Sequence, residues 1–226
     1  MKKNLILYYL VLIIVFVILW LRLIYLQIIK AKYYQDLAEG NRIKIIPISA
    51  DRGIIYDRHE QVLIRNRPEG REYIYGDSLA HVLGYVGISD DPKQNGALVG
   101  KAGLEWQYND LLKGKDGGTL VETDADGQIV KEITKMPGVA GQSLKLTLDL
   151  GLQQKTAMLM KGKKGTVIIT NPNNGEILSL YSSPSFDPNI FTLSKQSQNK
   201  AESILNNVDQ PMFNRVIAGL YPPGSI

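Results

Sequence analysis

Residues Leu5–Leu21 form an uninterrupted run of 17 uncharged residues, almost all aliphatic or aromatic. No other feature limits the chain so strongly. At 1.5 Å of helix rise per residue the run covers about 26 Å, close to the roughly 30 Å hydrocarbon core of a bilayer. Arg22 interrupts it, and Leu23–Ile29 continues apolar apart from Gln27. Arg22 can snorkel to the far interface, where Trp20 and Tyr25 supply interfacial aromatics. A cleaved signal peptide is the alternative. It fails because the run is too long for an h-region and no small-x-small cleavage site follows it. The segment therefore reads as an uncleaved membrane anchor. Lys2, Lys3 and the amino terminus lie on one side of it, and Arg22, Lys30 and Lys32 on the other. Charge alone does not set its orientation.

The rest of the 226 residues has an ordinary globular apolar share and suffices for one or two domains. With no cysteine there is no disulfide framework and no cysteine-ligated metal. His59 and His81 are 22 positions apart, which excludes a zinc-binding helix motif. The net charge of +4 comes from scattered basic residues, so nothing favours nucleic acid as a partner.

Local signals then outline the chain. Residues 30–41 read as a polar helix ended by Gly40. Residues 43–48 read as a strand, with Pro47 marking it as an edge. Ile54–Tyr56 and Val62–Ile64 flank a turn at Asp57-Arg58-His59-Glu60 and predict a hairpin. Residues 67–78 read as loop. Leu104–Leu112 carries one helical apolar face. Leu120–Glu132 predicts a second hairpin around Asp126-Gly127. Leu144–Leu148 alternates as a strand, Asp149 occupies an N-cap position, and Leu150–Met160 can be helical. Thr166–Thr170 and Ile177–Tyr181 predict a third hairpin, and residues 182–211 read as a long surface loop. The order is a helix, a β-rich middle and the opening of an α/β domain, with a boundary near residue 142.

Few residues stand out for chemistry. Asp90-Asp91 and Asp124/Asp126 sit in predicted turns, where aspartate caps backbone N–H groups. His59 and His81 read as structural, and Lys163-Lys164 as a solvated edge. Ser225 follows Pro222-Pro223-Gly224 and on that ground alone is a turn residue. Such a turn can also deliver a serine to the first turn of a helix, where backbone N–H groups stabilise an oxyanion. A lysine three residues on would lie over the same face as its base. That position falls two residues past Ile226.

Together these segments resemble class B penicillin-binding proteins. Asp51-Arg52-Gly53-Ile54-Ile55-Tyr56-Asp57-Arg58 is similar to their RG-x-IYDR motif. His81–Gly87 (HVLGYVG) and Val99–Glu105 (VGKAGLE) with Gln107-Tyr108 follow in order, then Leu112-Lys113-Gly114. Leu146–Asp149 (LTLD), Asn171-Pro172, Gly175–Leu178 (GEIL) and Ser182–Pro188 (SSPSFDP) come next. Phe213-Asn214-Arg215, Gly219 and Tyr221–Ser225 (YPPGS) close the set. The GYVG and VGKAGLE pair is most similar to the elongation type, penicillin-binding protein 2-like.

The resemblance implies an α+β chain. Residues 1–30 would be a cytoplasmic tip and anchor, 31–142 a β-rich pedestal or dimerisation domain, and 143–226 the incomplete start of a serine transpeptidase domain. It implies Ser225 as the acyl-accepting nucleophile, no cofactor and no metal. It implies peptidoglycan stem peptides and β-lactams as ligands. A cell-wall elongation complex with a glycosyltransferase would be the partner, and the bulk would lie outside a bacterial inner membrane. The lysine three places after Ser225 and the family's later SxN and KTG motifs are not within residues 1–226, so the piece by itself is expected to be inactive. A non-catalytic, membrane-tethered pedestal is the alternative. Two departures from the family pattern stand out. His59-Glu60 replace its usual Asn-Gly, which predicts a looser turn. Between Asn66 and Arg71 only Arg67–Gly70 intervene, where the family places a head lobe on which elongation partners dock.

Overall fold

The structure, a computed structural model, describes residues 2–68, 70–91, 96–124, 126–192 and 198–220. The chain begins with α1 (Lys2–Ile24), a π-helical stretch (Tyr25–Ile29), α2 (Ala31–Arg42) and β1 (Ile43–Ile48). Next come β2 (Ile55–Tyr56), β3 (Val62–Arg67), β4 (Gly70–Tyr73), a 3-10 turn (Gly76–Ser78) and α3 (Ala80–Leu83). Then follow β5 (Val86–Ile88), β6 (Leu98–Gly100), α4 (Gly103–Gln107), α5 (Asn109–Lys113), β7 (Gly117–Thr123) and β8 (Ile129–Met136). Last come β9 (Leu144–Lys145), α6 (Leu150–Leu159), β10 (Gly165–Thr170), β11 (Ile177–Ser183), a 3-10 turn (Pro188–Phe191) and α7 (Gln198–Leu205). These elements form two units, residues 1–47 with 118–136, and residues 48–117 with 137–226.

In the first unit, Tyr8–Ile29 is a helical stretch of 22 residues with mean hydropathy 2.7 and no burial. At about 33 Å it is long and apolar enough to cross a membrane. The following α2 runs through Gly40 to Arg42, two residues past the expected stop. Its end is fixed by β7 instead. The Arg42 side chain pairs with Glu122, and its carbonyl accepts from Thr123 Oγ1 at 3.3 Å. The sheet order is β1-β7-β8, which puts Pro47 on an edge strand as expected.

In the second unit the sheet order is β4-β3-β2-β9, with β9 parallel to β2 and the other pairs antiparallel. Ile55, Leu63, Ile64, Tyr73, Leu79, Leu83, Leu112, Leu148 and Leu150 form its core. Four expectations need correction here. The 67–78 segment is not a loop, because β4 pairs with β3 and buries Arg71 and Tyr73. The Leu104–Leu112 helix is broken at Tyr108 into α4 and α5. The break lets Asn109 Oδ1 accept from Gly100 N at 3.0 Å and from Arg52 Nη1 at 3.1 Å. Of the expected surface loop 182–211, residues 182–192 are packed, Gln198–Leu205 is helical, and 193–197 lie outside the described residues. Ser182, Ser183, Phe186 and Pro188 are buried, and the Phe191 ring stacks on Tyr85 at 4.3 Å. Asn189 completes the edge of β4. Its Oδ1 accepts from Tyr73 N at 2.8 Å and its Nδ2 donates to Tyr73 O at 2.9 Å, as a neighbouring strand would. The strand expected over Leu144–Leu148 is shorter, pairing through Leu144 and Lys145.

One device closes the three hairpins expected from the sequence. Asp57 Oδ1 accepts from His59 N and Gln61 N, both at 2.8 Å. Asp124 Oδ1 accepts from Asp126 N at 3.0 Å and Gln128 N at 2.8 Å. Asn171 Oδ1 accepts from Asn173 N at 3.1 Å. Each turn then needs one left-handed residue. Gly127 and Gly175 supply it at φ 81° and 76°, and Glu60 supplies it in the first hairpin at φ 64°. The expected looser turn is therefore a closed one, in which Asp57 offsets an unfavourable backbone at Glu60. Replacing Glu60 by glycine removes that backbone penalty, and the exposed ion pair with Lys145 that is lost contributes little. We expect Glu60→Gly to raise stability by roughly 0.5–1 kcal/mol in urea titrations, against the usual direction for glycine substitution.

Candidate functional site

Two polar clusters organise the second unit. The first is built around Glu105 at the start of α4. Its side chain is fully buried between Arg52 and Arg71, themselves buried. Arg52 Nε donates to Glu105 Oε2 at 2.7 Å, and Arg71 Nε donates to Oε1 at 2.8 Å. The remaining guanidinium donors are also used. Arg52 Nη2 reaches Glu105 O at 3.0 Å, and Arg71 Nη2 reaches Gly53 O at 2.7 Å. Asn66 closes the ring, accepting from Arg71 Nη1 at 2.7 Å and donating to Arg52 O at 2.6 Å. Beside it, burial and then the Glu105 charge push the Tyr73 phenol well above its ordinary range, while its oxygen accepts from Val86 N at 2.9 Å. With both carboxylate oxygens and every guanidinium nitrogen engaged, the cluster is built to hold backbone in place. Glycine tightens the same region. Gly84 sits at φ +73°, and a Cβ there would lie 1.8 Å from Ala102 O.

The second cluster joins α6 and β11 to segment 76–83. Asp149 caps α6, accepting from Leu152 N at 2.9 Å as expected. That N–H, and to a smaller degree His59, holds its carboxyl below the ordinary aspartate value. Gln153 is fully buried. It donates to Ser78 O at 2.7 Å and Leu180 O at 2.9 Å, and accepts from Ser179 Oγ at 2.8 Å and Leu180 N at 2.9 Å. Ser185 Oγ donates to Asp77 O at 2.6 Å. His81 packs edge-on against Phe186 at 5.4 Å, and its Nε2 is buried without a hydrogen-bond partner. Burial and then the Arg215 charge lower its pKa to about 4; the Pro211 carbonyl opposes this in part without bonding Nε2.

Comparison with known proteins matches two stretches of the chain to two domains in order. Residues 68–146 match the penicillin-binding protein dimerisation domain, and residues 165–226 the penicillin-binding protein transpeptidase domain. Peptidoglycan D,D-transpeptidase MrdA of Acinetobacter baumannii is 40% identical over 164 residues, 69% of this chain and 24% of that protein. The Escherichia coli K12 protein of that name is 29% identical over 290 aligned positions, covering 88% of this chain and 46% of its own length.

The chain belongs to the penicillin-binding proteins.

It spans about half or less of the length of these relatives. The 290 aligned positions exceed the whole 226-residue chain, so the Escherichia coli protein carries long stretches that this chain lacks. Two solved penicillin-binding protein 2 structures are similar. One, from Helicobacter pylori in complex with MreC, has TM-score 0.67 at 23% identity, covering 81% of this chain and 51% of that one. The other, from Pseudomonas aeruginosa in complex with WCK 5153, has TM-score 0.65 at 30% identity, covering 80% and 39%.

The structure thus draws the family segments together. Arg52 of the first motif meets Glu105 of VGKAGLE, and Asn214 Nδ2 of Phe213-Asn214-Arg215 donates to His81 O at 3.3 Å. Ser225 lies outside the described residues. Asp124 caps a turn and Asp90 pairs with Lys101, as structural roles require. Among the described residues no three His, Asp or Glu side chains cluster as metal ligands. Sequence reasoning missed Glu105, Arg71, Gln153 and Asn189. A charged Glu105 beside the apolar positions of its helix looks like a solvent-facing residue until Arg71 arrives from β4.

Two measurements test these clusters. Glu105→Gln leaves two buried guanidinium groups without their counter-charge and should cost about 3–5 kcal/mol in chemical denaturation. For His81 the folded pKa lies below the unfolded value of 6.5, so between the two the unfolded chain takes up a proton that the folded chain refuses. Stability should be intact above about pH 6.5 and fall as the pH drops toward 4, by up to about 3 kcal/mol. Denaturation midpoints at pH 7 and pH 5 should converge on one another in His81→Gln.

Proposed function

We propose that this chain provides the anchor, pedestal and opening catalytic segment of a peptidoglycan D,D-transpeptidase of the elongation type. The observation that carries this is the succession of a dimerisation-domain match and a transpeptidase-domain match that runs through Tyr221–Ser225. Residues 1–30 would form the cytoplasmic tip and anchor, 31–142 the pedestal, and 143–226 the opening of the penicillin-binding domain. Tyr8–Ile29 would cross the inner membrane once and leave the bulk outside the cytoplasm, where peptidoglycan is cross-linked.

In this reading the Ser225 hydroxyl adds to the carbonyl of a D-alanyl-D-alanine stem peptide, passing its proton to a base. The terminal D-alanine leaves, and an acyl-enzyme remains. The amine of a neighbouring stem then attacks that ester to form the cross-link and free the serine. A β-lactam acylates the same hydroxyl. The base in the family pattern is a lysine three places after the serine, a position beyond residues 1–226. The Helicobacter pylori structure pairs its penicillin-binding protein 2 with MreC. A cell-wall elongation complex of that kind, including a glycosyltransferase, is the partner proposed here. The short β3–β4 connection supports a smaller head on the pedestal than the family usually has, and so a weaker grip on such partners.

Fluorescent penicillin tests the assignment. The protein as its gene encodes it should take up stable label, and Ser225→Ala should lower that label at least a hundredfold. Residues 1–226 expressed alone should stay unlabelled. Full labelling of Ser225→Ala would sink the nucleophile assignment, and an unlabelled parent would favour a non-catalytic pedestal.

A further inference from the structure

Trp106 on α4 is 66% exposed, an unusual position for an indole in a folded domain. It forms one wall of a hollow of about 350 Å³ that opens to solvent and is lined by Gly100, Trp106, Gln107, Asn109 and Asp110. The lining side chains are one indole, two amides and one carboxylate. None is cationic and none is aliphatic. An anionic ligand would meet the Asp110 carboxylate with no counter-charge beside it. The apolar face of a partner helix would need a groove of hydrophobic side chains.

The walls are fixed from behind. Arg52 Nη2 donates to Glu105 O at 3.0 Å, on the residue immediately before Trp106. Gly100 is pressed against the same carbonyl, where a Cβ would lie 1.9 Å from the oxygen. Asn109 Oδ1 accepts from Gly100 N at 3.0 Å and from Arg52 Nη1 at 3.1 Å. Those two donors decide which end of the amide is spare. Asn109 Nδ2 has no hydrogen-bond partner among the described residues. The indole N–H of Trp106 and the side chains of Gln107 and Asp110 are likewise unpartnered among them. A site held in shape before its ligand arrives loses less on binding.

We propose that this hollow binds a neutral, N-acetylated sugar ring. A pyranose presents a flat face of C–H groups, which the negative face of an indole attracts. Around that face runs a rim of hydroxyls that needs donors and acceptors together. Trp106 supplies the face, Gln107 supplies both kinds of group, Asp110 supplies acceptors and Asn109 Nδ2 a donor. An acetamido substituent asks for one acceptor and one donor, and Asp110 with Asn109 is such a pair. The glycan strand of peptidoglycan is a polymer of N-acetylated sugars. Naming it as the source rests on the transpeptidase reading above, whereas the chemistry of the hollow does not. Holding the strand here would keep its stem peptides at high local concentration around the same molecule.

The probe is the hexamer of β-1,4-linked N-acetylglucosamine, which carries no stem peptide and no charge. Surface plasmon resonance of the protein as encoded, in detergent, should show saturable binding to the immobilised hexamer, and Ser225→Ala should bind it as the wild type does. Trp106→Ala should weaken that affinity by roughly tenfold or more, with Trp106→Phe recovering part of the loss. Should Trp106→Ala not fold, Asp110→Ala stands in and should weaken binding several-fold. A wild type that does not bind overturns the inference. So does wild-type affinity in folded Trp106→Ala, or in Asp110→Ala where that variant stands in, and the indole is then left to a protein partner. Equal affinity for the glucose hexamer overturns the N-acetyl assignment and the inference with it. A parent that takes no penicillin label yet binds the hexamer through Trp106 supports the sugar site and overturns the transpeptidase reading separately.

Discussion

A carboxylate taken fully out of water loses far more hydration energy than one ion pair returns. Glu105 is tolerable in the core because two guanidinium groups, rather than one, approach its two oxygens. The arginines in turn spread their remaining N–H groups over the carbonyls of Gly53 and Glu105 and the side chains of Asn66 and Asn109. The result carries one positive charge in excess, dispersed over backbone dipoles. Apolar residues of equal volume could fill the space at similar stability. Here the carboxylate takes one arginine on each oxygen. It sets β3 and β4 against α4, and the break at Tyr108 lets α5 add Asn109 to the same ring.

The β-structure also solves a local problem three times. A hairpin that turns in a few residues leaves N–H groups pointing into the loop, and an Asp or Asn at its first position collects them. This is why Asp57, Asp124 and Asn171 each precede a turn. The device is strong enough to hold Glu60 in a left-handed conformation that glycine would adopt more readily.

What could be read from the sequence follows from range. The apolar helix, the three hairpins, the edge position of Pro47 and the Asp149 cap depend on neighbours within a few residues, and all are present in the fold. Residues 67–78 and 182–211 were misread because their structure is supplied from far away. Pro, Gly and Asn there look like loop formers. Yet Arg71 is drawn in by Glu105, and Asn189 takes up the backbone of Tyr73 across 116 residues. Polar side chains that substitute for strands or counter-ions leave no periodic signal. The motif order carried the family, whereas the roles of Glu105 and Gln153 emerge once their partners are in place.

The same long-range character decides how the segments depend on one another. The core that contains Ile55, Leu63 and Leu83 also contains Leu148 and Leu150, and Leu144 and Leu146 pack against it. Residues on either side of position 142 therefore share one apolar interior. Gln153 adds four hydrogen bonds that tie α6 to both Ser78 and β11. Asp57 adds another from the first hairpin, accepting from Leu150 N at 3.3 Å. The bonds to Ser78 O and from Leu150 N cross position 142, and exchanging each for water on opening would cost about 0.5–1.5 kcal/mol. A hinge between them is costly while this seam is closed. Motion from one stretch reaches the other as a shift of packed backbone.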